Sequence, residues 1–187
     1  MKTAIAILGF LFVCALMVWL IGFVKHRLRM QKWNAAIQKG MRLPTAREIN
    51  PAPHDLDGKC AERHFFGKTL AEAEAMFREA FLLYQEDLMF MGPIGFRFYV
   101  QAAINCIQSD AAAGDADMIN SFAGILEHRL EFEAQELIPI APQLASVCRY
   151  ILERYDRFDV TPEVYGDLAP RFQVLAQTFL PQGRTWK

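Results

Sequence analysis

The chain has 187 residues, 53% of them hydrophobic, and a formal net charge of −1. That length holds one modest domain plus an extension, while the near-neutral total hides a division. Residues 1–59 carry nine Lys/Arg against three Asp/Glu, and residues 60–187 carry eleven against eighteen; so acidic a second part argues against nucleic-acid binding, whose affinity rests on Lys/Arg contacts to phosphates.

Residues 3–24 contain no charged side chain. As a helix rising about 1.5 Å per residue they would reach about 33 Å, against a hydrocarbon core of about 30 Å. A secretory signal has a shorter apolar stretch, about 7–15 residues, and a small-residue cleavage site. Here the run instead ends in Trp19-Leu20-Ile21-Gly22-Phe23-Val24 and meets Lys25, Arg27, Arg29 and Lys32. Residues 1–24 are therefore expected to be a retained, single-pass transmembrane anchor. Cations on its C-terminal side put the N-terminus outside and the rest of the chain in the cytoplasm. Gly9 and Gly22 lack the spacing of a small-residue helix-pairing motif.

Residues 25–42 are expected to continue as a basic juxtamembrane helix. Val24, Leu28, Trp33, Ile37 and Met41 approximate one apolar stripe among its cations. Such a segment suits the anionic inner leaflet, with Lys25, Arg27, Arg29 and Lys32 as the lipid-facing charges. Residues 43–68 then change character. Pro44, Pro51, Pro53, Gly58 and Gly67 interrupt every regular period, which reads as a linker. His64, Phe65 and Phe66 are its part best suited to pack on the helical domain.

From 69 to 187 the pattern is that of an acidic helical domain. Thr69 and Glu72 form a capping-box signature opening a long helix that Gly92-Pro93 ends. A second helix is expected over 94–113, broken by Gly114. Asp115 can cap a third, running to the residues before Pro139. A fourth comes after Pro142, and Thr161-Pro162-Glu163 starts a fifth that bends at Pro170 and ends by Pro181. Strand signals are nearly absent, and no fixed repeat period recurs.

Signatures of catalysis are also missing: no nucleophile elbow, phosphate loop, zinc-protease helix or calcium loop. Gly92-Pro93-Ile94-Gly95 reads as a turn, not a phosphate cradle. Cys60-x-x-x-His64 has ligand-like spacing, but only two ligands where structural zinc takes four. Cys106 and Cys148 are expected to be small core residues. Glu127, His128, Glu131, Glu133 and Glu136 read as a solvated acidic face, with i,i+3 and i,i+4 contacts among the first three. Glu86 and Asp87 are expected either to pair with Arg97 or to lie at the surface. The aromatic series Phe77, Phe81, Tyr84, Phe90, Phe96, Phe98 and Tyr99 is read first as core, and otherwise as an exposed groove for a partner helix.

The expectation is an all-α protein: one N-terminal transmembrane helix, then a roughly five-helix bundle or short helical-pair array. It names no catalytic residue, cofactor or metal site. Function is expected through protein–protein contact, as an accessory or assembly subunit of a membrane complex. The alternatives are an immunity or inhibitor protein whose acidic surface masks a basic toxin, and an enzyme of unfamiliar type using Glu86/Asp87 or His128/Glu131.

Overall fold

A computed structural model of the chain describes Met17 and residues 42–180, and every described element is helical, with no strand among them. Two compact units divide the chain, Met1–Arg42 and Leu43–Lys187. Among the described residues no helix is long and apolar enough to cross a membrane. The expected anchor at 1–24 and the basic segment at 25–42 lie outside the described residues, Met17 and Arg42 excepted.

The second unit is a helical bundle. Its α-helices are α1 (Ala46–Ile49), α2 (Leu56–Phe65), α3 (Leu70–Phe90), α4 (Pro93–Gln108), α5 (Ala116–Leu137), α6 (Ala141–Glu153), α7 (Pro162–Tyr165) and α8 (Ala169–Thr178). Caps set several starts. Before α3 the Glu72 carboxylate accepts from the Thr69 backbone N–H at 2.8 Å, and the Thr69 hydroxyl accepts from the Glu72 N–H at 3.2 Å. Asp115 accepts from the Met118 N–H at 2.8 Å at the start of α5.

Two expectations change. Residues 43–68, read as a linker, carry α1 and α2. Asp55 caps α2 by accepting from the Gly58 N–H at 2.8 Å, and Glu48 accepts from the Thr45 N–H at 2.8 Å before α1. The expected fifth helix divides into α7 and α8, because Gly166 takes a φ of +67° that a helix cannot contain. Pro170 then sits in the first turn of α8, where its missing N–H costs nothing.

Central to the bundle is α4. Phe96, Phe98, Tyr99, Val100, Ile104 and Ile107 are all buried and cover most of its circumference, leaving Arg97, Gln101, Asn105 and Gln108 as one narrow polar stripe. It packs against α3, α5 and α1, while α6 pairs with α8 and closes the far side. The aromatic series proves to be mainly core: Phe77, Phe81, Phe96, Phe98 and Tyr99 are buried and only Phe90 is well exposed. Phe65 of α2 joins them, its ring centroid 4.8 Å from Tyr99 and 5.7 Å from Phe77. The Tyr99 hydroxyl lies 2.6 Å from the Phe65 carbonyl and 2.9 Å from that of Lys68, which fixes the end of α2 to the core. Cys106 and Cys148 are buried as expected, and burial pushes their thiols up to about 11 and about 12.

The Gly92–Gly95 turn does more than reverse the chain. The backbone of α1 lies directly on it, and the Gly92 N–H donates to the Ile49 carbonyl at 2.6 Å. A Cβ on Gly92 would come within 2.7 Å of the Glu48 carbonyl, and one on Gly95 within 3.0 Å of the Ile49 Cα. Gly124, inside α5, has open space around it instead, the nearest atom being 4.0 Å away on Arg171. Thermal unfolding of the full chain should therefore separate two alanine substitutions. Gly92→Ala is expected to cost about 1–3 kcal/mol by forcing α1 off α4. Gly124→Ala is expected to stabilise by up to about 1 kcal/mol.

Candidate interaction surface

Between α3 and α5 runs a polar seam that sequence reading assigned otherwise. Arg129 of α5 is buried, 2% exposed, and points into the C-terminal end of α3. Its Nη2 donates to the Leu88 carbonyl at 2.7 Å and also to the Met91 carbonyl, and Nε donates to Leu88 at 3.2 Å. The guanidinium carbon sits 4.5 Å from the centroid of the Phe96 ring, and Nη1 pairs with Glu133 one turn along α5. A cation here satisfies terminal carbonyls and faces the negative end of the helix dipole at once. Nearby, Arg97 of α4 donates to the Glu136 side chain at 2.6 Å and to its carbonyl at 2.9 Å.

Asp87, expected beside Arg97 or at the surface, does neither. It is buried on α3 and its Oδ2 lies 2.7 Å from Nδ1 of His64, whose ring meets Tyr84 edge-on at 5.4 Å. The correction comes from α2: once that segment is a helix packed on α3, His64 reaches Asp87, and Arg97 turns to α5. Glu86, one residue earlier, faces solvent. Cys60 is a half-buried free thiol one turn before His64. Among the described residues, no three His, Cys, Asp or Glu side chains converge to hold a metal ion.

The acidic face of α5 is likewise partly engaged. Glu127 accepts two hydrogen bonds from Arg171 of α8, at 2.8 and 2.6 Å, in place of the contact with Glu131. His128 turns toward aromatic neighbours: its ring lies 4.8 Å from Phe132 and 6.5 Å from Phe90. These three rings form a continuous surface strip across the α3–α5 seam. Phe132 is 66% exposed and Phe90 40%. Leu83, also exposed, lies two helical turns before Phe90 on the same side of α3, opposite buried Phe81 and Leu88. Solvent-facing Glu86 and Glu131 rim the strip. Buried directly beneath is the Arg129 network, so the strip rests on a rigid junction rather than on a loop.

The individual rings were visible in the sequence, but their adjacency was not, because Phe90 and Phe132 stand 42 positions apart. A helical phase for α5 does place His128 and Phe132 together at i,i+4.

Burial raises the Asp87 carboxyl above the usual aspartate range, only partly opposed by its hydrogen bond to His64. The folded chain thus holds this proton more tightly than the unfolded chain. Its contribution to stability is greatest below the ordinary aspartate value, about 3.9, and is lost as pH rises through the folded value. Asp87→Asn removes that loss. The melting temperature of the parent chain relative to Asp87→Asn is expected to fall as pH rises from about 4, in parallel melts.

No protein-family model matches this chain, and no curated protein or solved structure matches it significantly.

Proposed function

We propose that this chain is a single-span membrane protein, N-terminus outside, whose cytoplasmic helical body works by binding another protein of a membrane complex, as an accessory or assembly subunit. The observation that carries the binding role is the strip of Leu83, Phe90 and Phe132, large apolar side chains left in water on a well-packed seam, with the half-buried His128 ring between Phe90 and Phe132. Contiguous exposed apolar surface of this kind marks interaction sites, and aromatic side chains dominate the energetics of such contacts. The rim acids Glu86 and Glu131 favour a partner segment with an apolar centre and cationic flanks. Membrane attachment rests on the uncharged run at 3–24 and the cations after it.

Photocrosslinking in native membranes tests the reading. With benzoylphenylalanine in place of Phe132 or Phe90, irradiation is expected to give one dominant protein adduct of fixed mass. The same replacement at Val174, equally exposed at 64% on α8, is expected to give none. A chain that stays free of adducts at Phe132 and Phe90, or that crosslinks equally from Val174, would contradict the assignment.

A further inference from the structure

The outer face of α2 differs from the rest of the body. Ala61 and Phe65 are buried against the core, and diametrically opposite them along the helix lie Leu56, Lys59 and Arg63, with Phe66 at the C-cap. Leu56 is 74% exposed and Phe66 57%, so both ends of the stripe present a bulky apolar side chain to solvent. Lys59 and Arg63, between them, are exposed as well, and no carboxylate among the described residues lies within ion-pair distance of either. Arg78, Arg97, Arg129, Arg157 and Arg171 pair with acids. Exposed Arg149 of α6 and Arg154 at its C-cap share the unpaired state of Lys59 and Arg63, but have no exposed bulky apolar side chain on either side of them in the chain. The body is acidic overall, yet this helix face sets two basic groups between two apolar ones. Glu62 is turned aside, accepting from the Asn50 side chain at 3.2 Å, and Asp57 lies on the flank.

We infer that the outer face of α2 docks the body on an anionic lipid surface, with Lys59 and Arg63 at the headgroups and Leu56 and Phe66 inserted among the acyl chains. The pattern matches the physics of interfacial helices, in which buried apolar area and attraction to anionic lipid act together. Charge complementarity selects a bilayer over a protein here, because the face is basic where the binding strip on α3 and α5 is rimmed by acids. The order of the chain agrees: only thirteen residues separate Arg42, the last of the basic segment, from Leu56. The docking rests on the membrane-anchored reading of the chain. It adds that the body lies against the leaflet through α2, leaving Phe90 and Phe132 open to a protein partner.

The test uses the full chain, with benzoylphenylalanine at Phe66, in nanodiscs of phosphatidylcholine alone or mixed equally with phosphatidylglycerol. After irradiation, lipid adducts on the peptide containing residue 66 are quantified by mass spectrometry. Each basic side chain near an anionic surface shifts docking about fivefold, so two are expected to raise the adduct yield by about tenfold or more over neutral discs. Added salt should reduce that yield. Lys59→Glu with Arg63→Glu should bring it to the neutral-disc level while the melting temperature stays unchanged, since both side chains are exposed. Equal yields in the two disc types, no lipid adduct in either, or an unaffected charge-reversed variant would overturn the docking assignment. Retention of the chain in the discs through alkaline extraction is scored separately. An uncrosslinked chain that is retained defeats only the docking, whereas a chain that washes out defeats the anchor and the docking together.

Discussion

Arg129 is the side chain on which the arrangement of the long helices depends. Its guanidinium closes the C-terminal carbonyls of α3, lies over Phe96 at the start of α4, and belongs to α5. One buried cation thereby fixes the meeting point of three helices. Burying it is costly in isolation, and the pairing with Glu133 and the carbonyl hydrogen bonds offset that cost. Arg97 repeats the arrangement one layer away through Glu136. The bundle is thus apolar through most of its interior and polar along one seam, where the acceptors are helix-end carbonyls.

That seam also explains why the exposed rings are set firmly. Phe132 and His128 lie on the same stretch of α5 as Arg129, and Phe90 is in the last turn of α3 that Arg129 caps. Water-exposed aromatic side chains on such a junction cannot retreat by local fraying without breaking the buried network. The strip therefore remains displayed, at the expense of apolar area left in water. On the opposite margin of α3, α2 is held by a different set of contacts: Phe65 in the aromatic core, the Tyr99 hydroxyl, and His64 on Asp87. The body thus has two outward faces, one aromatic with an acidic rim and one apolar with cations, each fixed by buried groups beneath it.

Much of the helical domain was legible in the residues. Thr69 with Glu72 and Asp115 each mark helix starts that the structure realises, and Gly92-Pro93 marks an end. The misreadings share a cause: a local signal stands in the sequence without its tertiary partner. Thr45 and Glu48 repeat the Thr69–Glu72 signature, and Asp55 is an ordinary N-cap, yet the prolines around them suggest a linker. Gly92 and Gly95 read as a turn because the backbone of α1 lying on them comes from about 40 residues earlier. Arg97 stands alone in an apolar stretch, a sign of a buried, paired charge, whereas Arg129 lies among Glu127, His128, Glu131 and Glu133 and reads as surface. The acceptors of both are main-chain carbonyls and acids that only the packing brings near. The surface strip was hidden for the same reason.

The central proposal is that this helical body, with its two outward faces, is held at the cytoplasmic side of a membrane by the uncharged run at 3–24. The most direct measurement is topology in living cells. Paired reporters, one active only in the cytoplasm and one only outside it, are fused in turn before Met1 and after Lys187. Cytoplasmic activity at the C-terminal fusion and external activity at the N-terminal one, in the same membrane fraction, is the predicted result. A C-terminal reporter active outside the cytoplasm, or a chain recovered without residues 3–24, would contradict it.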